Sequence, residues 1–313
     1  MKQLFKTSDG DLRWGWKTAI LILGTILFGV ILTAVIMTAL TIGYSSQGLA
    51  QDQAMEKATL ASGGFTVQVV LSALQLGFML WVVRWLVTKV EKQKFEWSKL
   101  GLVSTERSKF IMLGLVLAVA LSLFTIGIGY LSGTLKFLGN GFELFGSAQV
   151  LITLLLATIL AIASGFGEEI AYRGYLQSRI AQRYNPTIAV VIVAVLFAFS
   201  HPLGTAVNPL LYLASAILVG LLFGTIFART KSLWTGVALH TVWNYLQIAV
   251  FAVRNSADER FFGAPLWVFD NISITTQMLI EFMVILVGLL FIFWHTKPGM
   301  KAMEEKKSWT VSS

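Results

Sequence analysis

The chain has 313 residues, of which 56% are apolar and only 13% charged, and its mean hydropathy is +0.74. An ordinary soluble chain is about 25% charged, so this composition excludes a soluble protein, and 22 Phe with 10 Trp excludes disorder. The absence of cysteine removes disulfides, thiolate nucleophiles and cysteine-based metal sites. A net charge of +8 does not point to nucleic acid, because the Lys and Arg residues lie between long apolar runs rather than clustering on one face.

A membrane-crossing helix needs about 20 mostly apolar residues. In chain order, such runs predict spans over Thr18 to Ile42, Leu60 to Val83 and Phe110 to Leu131. A fourth starts at Ala148 and continues into a charged stretch. Four more follow: Thr187 to His201, Leu210 to Ala228, Leu233 to Phe251 and Met278 to Trp294. The first is too long for a signal-peptide core and is expected to be retained. The fold class expected is therefore all-α, a polytopic membrane bundle of about eight helices forming one integral membrane domain over 1–313. Alternate connecting segments hold 20 of the 24 Lys and Arg residues. By the positive-inside rule this bias places both termini in the cytoplasm of a cell-membrane protein.

Trp14, Trp16, Trp85, Trp234 and Trp294 fall near span ends, as interfacial anchors do. Gly220 and Gly224 form a GxxxG spacing expected to pack inside the bundle. Arg84 and Glu281 read as interfacial charges, His295 as a membrane-edge residue, and Tyr172 and Tyr175 as packing residues. The basic loop from Arg84 to Lys109 reads as a cytoplasmic connector.

Ionisable residues inside spans are costly and usually functional. They concentrate at Glu168, Glu169 and Arg173, at His201, and at His240 with the neighbouring amide of Asn244. The turn around Pro186 puts Glu168 and His201 each about 22 Å along their helices, at similar depth. Glu169 and Arg173, four apart, share a helix face and can pair, whereas Glu168 is rotated about 100° away and is left for chemistry. His240 and Asn244 also share a face. From Ala148 to Arg183 a continuous helix would be about 54 Å long. Gly165 and Gly167 offer a bend or break, and projection into water is the alternative.

These groups suit amide hydrolysis. A carboxylate in an apolar cavity is a better base because desolvation disfavours its charged form. An imidazole can relay the proton, and a second imidazole with an amide can stabilise an oxyanion. The alternative is a divalent metal such as zinc, with Glu168, His201 and His240 as candidate ligands; the common HExxH zinc helix is absent.

The motifs Glu168-Glu169-x-x-x-Arg173, Phe197-x-x-x-His201 and His240-x-x-x-Asn244 resemble those of the CAAX protease and bacteriocin-processing (CPBP, or Abi) family of intramembrane endopeptidases. The resemblance covers residues 150–250, with all three motifs complete and in the family order. It implies that Glu168 and His201 activate water, that His240 and Asn244 form the oxyanion site, and that Glu169 and Arg173 support it. The family has been described both as metalloproteases and as metal-independent glutamate proteases. Its eukaryotic members cut prenylated CaaX proteins; its bacterial members are linked to bacteriocin maturation, immunity and peptide signalling. The implied partners are the lipid bilayer and a membrane-embedded or lipid-associated peptide or protein. Two other readings use the same residues: a proton-coupled transporter, although no internal repeat is visible, and a catalytically silent immunity or scaffold protein of the same fold.

Overall fold

The computed structural model describes residues 12–103, 106–201, 208–254 and 263–295. Among these, six helices are long and apolar enough to cross a membrane, by length and composition. The protein is an all-α, multi-pass membrane bundle. The chain begins with α1 (Trp14–Ser46), α2 (Gln51–Ser62) and α3 (Phe65–Trp85), the last prolonged by a π-helical turn, Leu86–Val90. The second expected span thus starts later than anticipated, because Gly63-Gly64 separates α2 from α3. Next come α4 (Arg107–Leu131), strand β1 (Leu135–Asn140), short helix α5 (Gly141–Phe145) and α6 (Ser147–Glu168). A π-helical segment, Glu169–Gln177, carries α6 into α7 (Ser178–Arg183), making one rod of 37 residues. Then follow α8 (Pro186–Phe199), α9 (Pro209–Thr230), α10 (Leu233–Tyr245) with a π turn to Val250, strands β2 (Phe251–Arg254) and β3 (Trp267–Asn271), and α11 (Ile274–His295).

The expected count of eight spans is approximate. Helices α8 and α10 have 14 and 13 residues. At 1.5 Å per residue they are about 20 Å long, short of the ~30 Å hydrocarbon core. Each has a clear start: Asn185 caps α8 by accepting from the Ile188 amide, with Pro186 in the first turn, and Ser232 accepts from the Trp234 amide at α10. Polar residues near the far ends of such short helices lie at membrane depth, where irregular backbone is tolerated only beside protein or a cavity.

Apolar side chains of α1 such as Leu23, Leu27, Val30 and Val35 point outward, as a lipid-facing helix requires. One buried cluster joins α1, α3, the π-helical segment and α8; a second joins α4, α9, α10 and α11. At one end of the bundle lies a three-stranded sheet of order β1-β3-β2, antiparallel between β1 and β3 and parallel between β2 and β3. At the other end Glu91 gathers Lys17 Nζ (3.0 Å), Arg179 Nη2 (2.7 Å) and the Tyr175 hydroxyl (3.0 Å), tying α1, α3 and α7 together. Trp14 donates to the Tyr184 hydroxyl and Trp234 to the Val103 carbonyl at this same end. Arg84 is exposed and lies 5.5 Å from the centre of the Phe95 ring. Glu281 accepts from Gln247 Nε2 at 3.4 Å. The side chain of His295 lies outside the described residues.

Small residues set the helix spacing. The GxxxG pair packs inside the bundle: a Cβ on Gly220 would meet the Ala194 backbone at 2.7 Å, and one on Gly224 would meet Val190 at 3.1 Å. The rod does not break at Gly165 or Gly167; Gly165 instead lets α6 approach α10, where a Cβ would stand 2.6 Å from Thr241 Oγ1 and 2.8 Å from its backbone nitrogen. Because that neighbour is backbone, Gly165→Ala is expected to lower stability by about 1–3 kcal/mol, the usual cost of overpacking. Thermal unfolding in detergent measures it, and an unchanged midpoint would contradict the tight crossing.

Candidate active site

The local irregularity of the long rod coincides with its acidic motif. Glu168 closes the regular turn of α6 and Glu169 opens the π-helical segment, a distortion often found at functional sites. The two carboxylates meet different surroundings. Glu169 is completely buried, pairs with the equally buried Arg173 at 3.0 Å, and receives His240 Nδ1 at 3.3 Å. Arg173 also reaches the Gly220 carbonyl at 3.4 Å and lies over the rings of Phe197 (4.5 Å) and Phe223 (5.1 Å). Its charge is thus compensated by a carboxylate and two π faces.

Glu168 keeps 23% of its side chain exposed and lines a cavity of about 730 Å³. His201 lines the same cavity, as do Ser164, Tyr172 and Ser200. Glu168 Oε2 has no hydrogen-bond partner among the described residues and lies 3.9 Å from His240 Nε2. That separation is too long for a hydrogen bond.

Hydrogen bonding fixes both imidazoles. The ring nitrogen Nδ1 of His201 lies 2.8 Å from the Phe197 carbonyl, one turn back. A carbonyl only accepts, so Nδ1 carries the proton and Nε2 is left as the acceptor of the neutral ring. Likewise His240 donates from Nδ1 to the Glu169 carboxylate. The His240 ring also stacks on Phe223, with centroids 5.0 Å apart. Gly236, one turn before His240, leaves room for this contact: a Cβ there would stand 2.7 Å from Glu169 Oε2.

The structure therefore brings Glu168, Glu169, Arg173 and His240 into one contiguous cluster and has His201 share a cavity with Glu168. Asn244 joins through an intermediary, donating from Nδ2 to Ser164 Oγ at 3.0 Å. Sequence reasoning did not single out Ser164, although it precedes Glu168 by four residues and so shares its helix face. Ser164→Ala removes the hydrogen bond that holds the Asn244 amide and is expected to lower stability by about 1 kcal/mol, the scale of one lost hydrogen bond; thermal unfolding in detergent measures it.

Glu168, His201 and His240 are the candidate metal ligands. Among the described residues no three His, Asp or Glu side chains gather so as to hold a metal ion. Both histidines give Nδ1 to protein acceptors, which leaves Nε2 open on each ring.

A carboxylate facing an imidazole beside a cavity, inside a multi-pass bundle, is the arrangement expected of a membrane-embedded hydrolase. Residues 149–246 match the family model described as type II CAAX prenyl endopeptidase Rce1-like, about a third of the chain. This segment is thus similar to the Rce1-like endopeptidase domain, in agreement with the CAAX protease family that the three motifs resemble. No curated protein matches the chain.

Proposed function

We propose that the protein is an intramembrane endopeptidase of the glutamate type, acting on membrane-associated peptides or proteins. The observation that carries this reading is the partnerless Glu168 oxygen facing His240 Nε2 at 3.9 Å beside a cavity of about 730 Å³. Glu168 takes a proton from water as the water oxygen attacks the scissile carbonyl, and His201 holds that water through Nε2. The carbonyl oxygen becomes an oxyanion. His240, with Nδ1 held by Glu169, turns Nε2 to it, and Asn244 completes the site. Glu168 then returns the proton to the departing nitrogen as the C–N bond breaks. Glu169 and Arg173 hold His240 and the helix segment in register.

The whole chain serves as one integral membrane domain with 150–250 as its catalytic core, and the charge bias assigns both termini to the cytoplasm of a cell membrane. The family description makes a farnesylated, CAAX-terminated peptide the first substrate to try. Purified protein in lipid vesicles is expected to cut it, Glu168→Gln is expected not to, and His201→Ala is expected to cut it far more slowly. Cleavage is further expected to survive divalent-metal chelation; loss of activity on chelation, restored by zinc, would contradict the glutamate mechanism.

A further inference from the structure

The wall of the cavity facing Glu168 comes from α1 and α3, outside the matched protease segment. On α3 that wall is polar at three positions, Gln68, Ser72 and Gln75. Their spacing of four and three residues puts them on one helix face. Leu76, next to Gln75, packs against Gly167, next to Glu168, so the polar row begins level with the catalytic carboxylate. It then runs towards the end of the bundle that carries the sheet, since Phe65 at the start of α3 lies against Gly263 just before β3.

The two amides are anchored by their donors. Gln75 Nε2 donates to the Thr25 carbonyl on α1 and Gln68 Nε2 to the Ser62 carbonyl, each at 3.0 Å. Their oxygens are the remaining acceptors, and no described residue donates to either. From Gln68 to Gln75 the helix rises about 10.5 Å. An extended peptide covers that length in about three residues at ~3.3 Å each. A peptide must be extended to expose a scissile bond, and at membrane depth its freed N–H groups need acceptors.

We propose that Gln68, Ser72 and Gln75 form a main-chain binding ladder. It accepts hydrogen bonds from the alternate N–H groups that face it along about three extended substrate residues and presents the adjoining peptide bond to Glu168. The ligand is peptide backbone whatever its side chains, and this assignment rests on the endopeptidase reading. Gln75→Leu and Gln68→Leu are each expected to raise KM about tenfold with kcat within twofold, the scale of one lost hydrogen bond.

Because Gln75 also ties α3 to α1, the decisive test varies the substrate. Farnesylated CAAX-terminated peptides are N-methylated one residue at a time on both sides of the scissile bond. Wild-type protein is expected to show a rise in KM at positions on one side, and that penalty is expected to vanish in Gln75→Leu or Gln68→Leu. Penalties that persist undiminished in both variants would assign the glutamines to helix packing alone and overturn the ladder. No cleavage of the unmethylated peptide by wild type, with the protein folded by thermal unfolding, would instead overturn the endopeptidase reading and the ladder with it.

Discussion

Glu168→Gln is expected to slow peptide hydrolysis by about 10³-fold while leaving the fold intact. The amide keeps the size of the carboxylate and removes only the capacity to take a proton, and a positioned general base contributes about 10²–10⁴-fold. Stability is expected to hold because Glu168 makes no ion pair with Arg173 and its Oε2 has no protein hydrogen-bond partner to lose. Glu169→Gln serves as the contrast. Its Oε1 can still accept from His240, so hydrolysis is expected to fall by a smaller factor, with a loss of stability from the unpaired Arg173. Rates on one substrate and unfolding midpoints for both variants separate the two adjacent carboxylates, one acting on water and the other holding an imidazole.

The largest stability effect is expected at Arg173. Both members of the Glu169–Arg173 pair are wholly buried, and removing one partner of such a pair costs about 3–5 kcal/mol because the other charge is left uncompensated. Arg173→Met should therefore unfold at a much lower temperature than wild type. The double variant Glu169→Gln, Arg173→Met is expected to recover a large part of that loss, since replacing both members of a buried pair is far less costly than breaking it. Arg173→Lys is not expected to rescue fully, because an ammonium cannot span Glu169, the Gly220 carbonyl and the faces of Phe197 and Phe223 as a planar guanidinium does. A double variant no more stable than Arg173→Met would contradict the pairing.

Much of this architecture is readable from apolar run lengths. Six helices coincide with the long uncharged stretches, and the Glu169–Arg173 contact follows from helical spacing alone. The extent of α8 was legible, because its apolar run stops at Phe199 before Ser200 and His201, whereas the passage of α10 into a π turn at Leu246 was not, because the apolar run continues through it. The sheet was not legible: β1 and β3 are separated by more than a hundred residues, and such pairing leaves no local periodicity to read. His240 and Asn244 share a helix face as expected, yet they take different partners, Glu169 and Ser164, which depends on side-chain packing between α10 and the long rod. The polar face of α3 escaped for a chemical reason. Gln68, Ser72 and Gln75 are uncharged, so a criterion built on ionisable residues in apolar spans passes over them. Likewise nothing in the long apolar α1 marks which of its faces borders the cavity.

The most direct test of the convergence of Glu168, His201, His240 and Asn244 on one scissile bond is mass spectrometry of the cleavage products. Wild-type protein in vesicles is given the farnesylated CAAX-terminated peptide in ¹⁸O-labelled water. The account predicts a single internal cut whose new carboxyl terminus carries one ¹⁸O atom, with the product lost in Glu168→Gln and strongly reduced in His201→Ala, His240→Ala and Asn244→Ala. Equal amounts of labelled product from wild type and Glu168→Gln would contradict it.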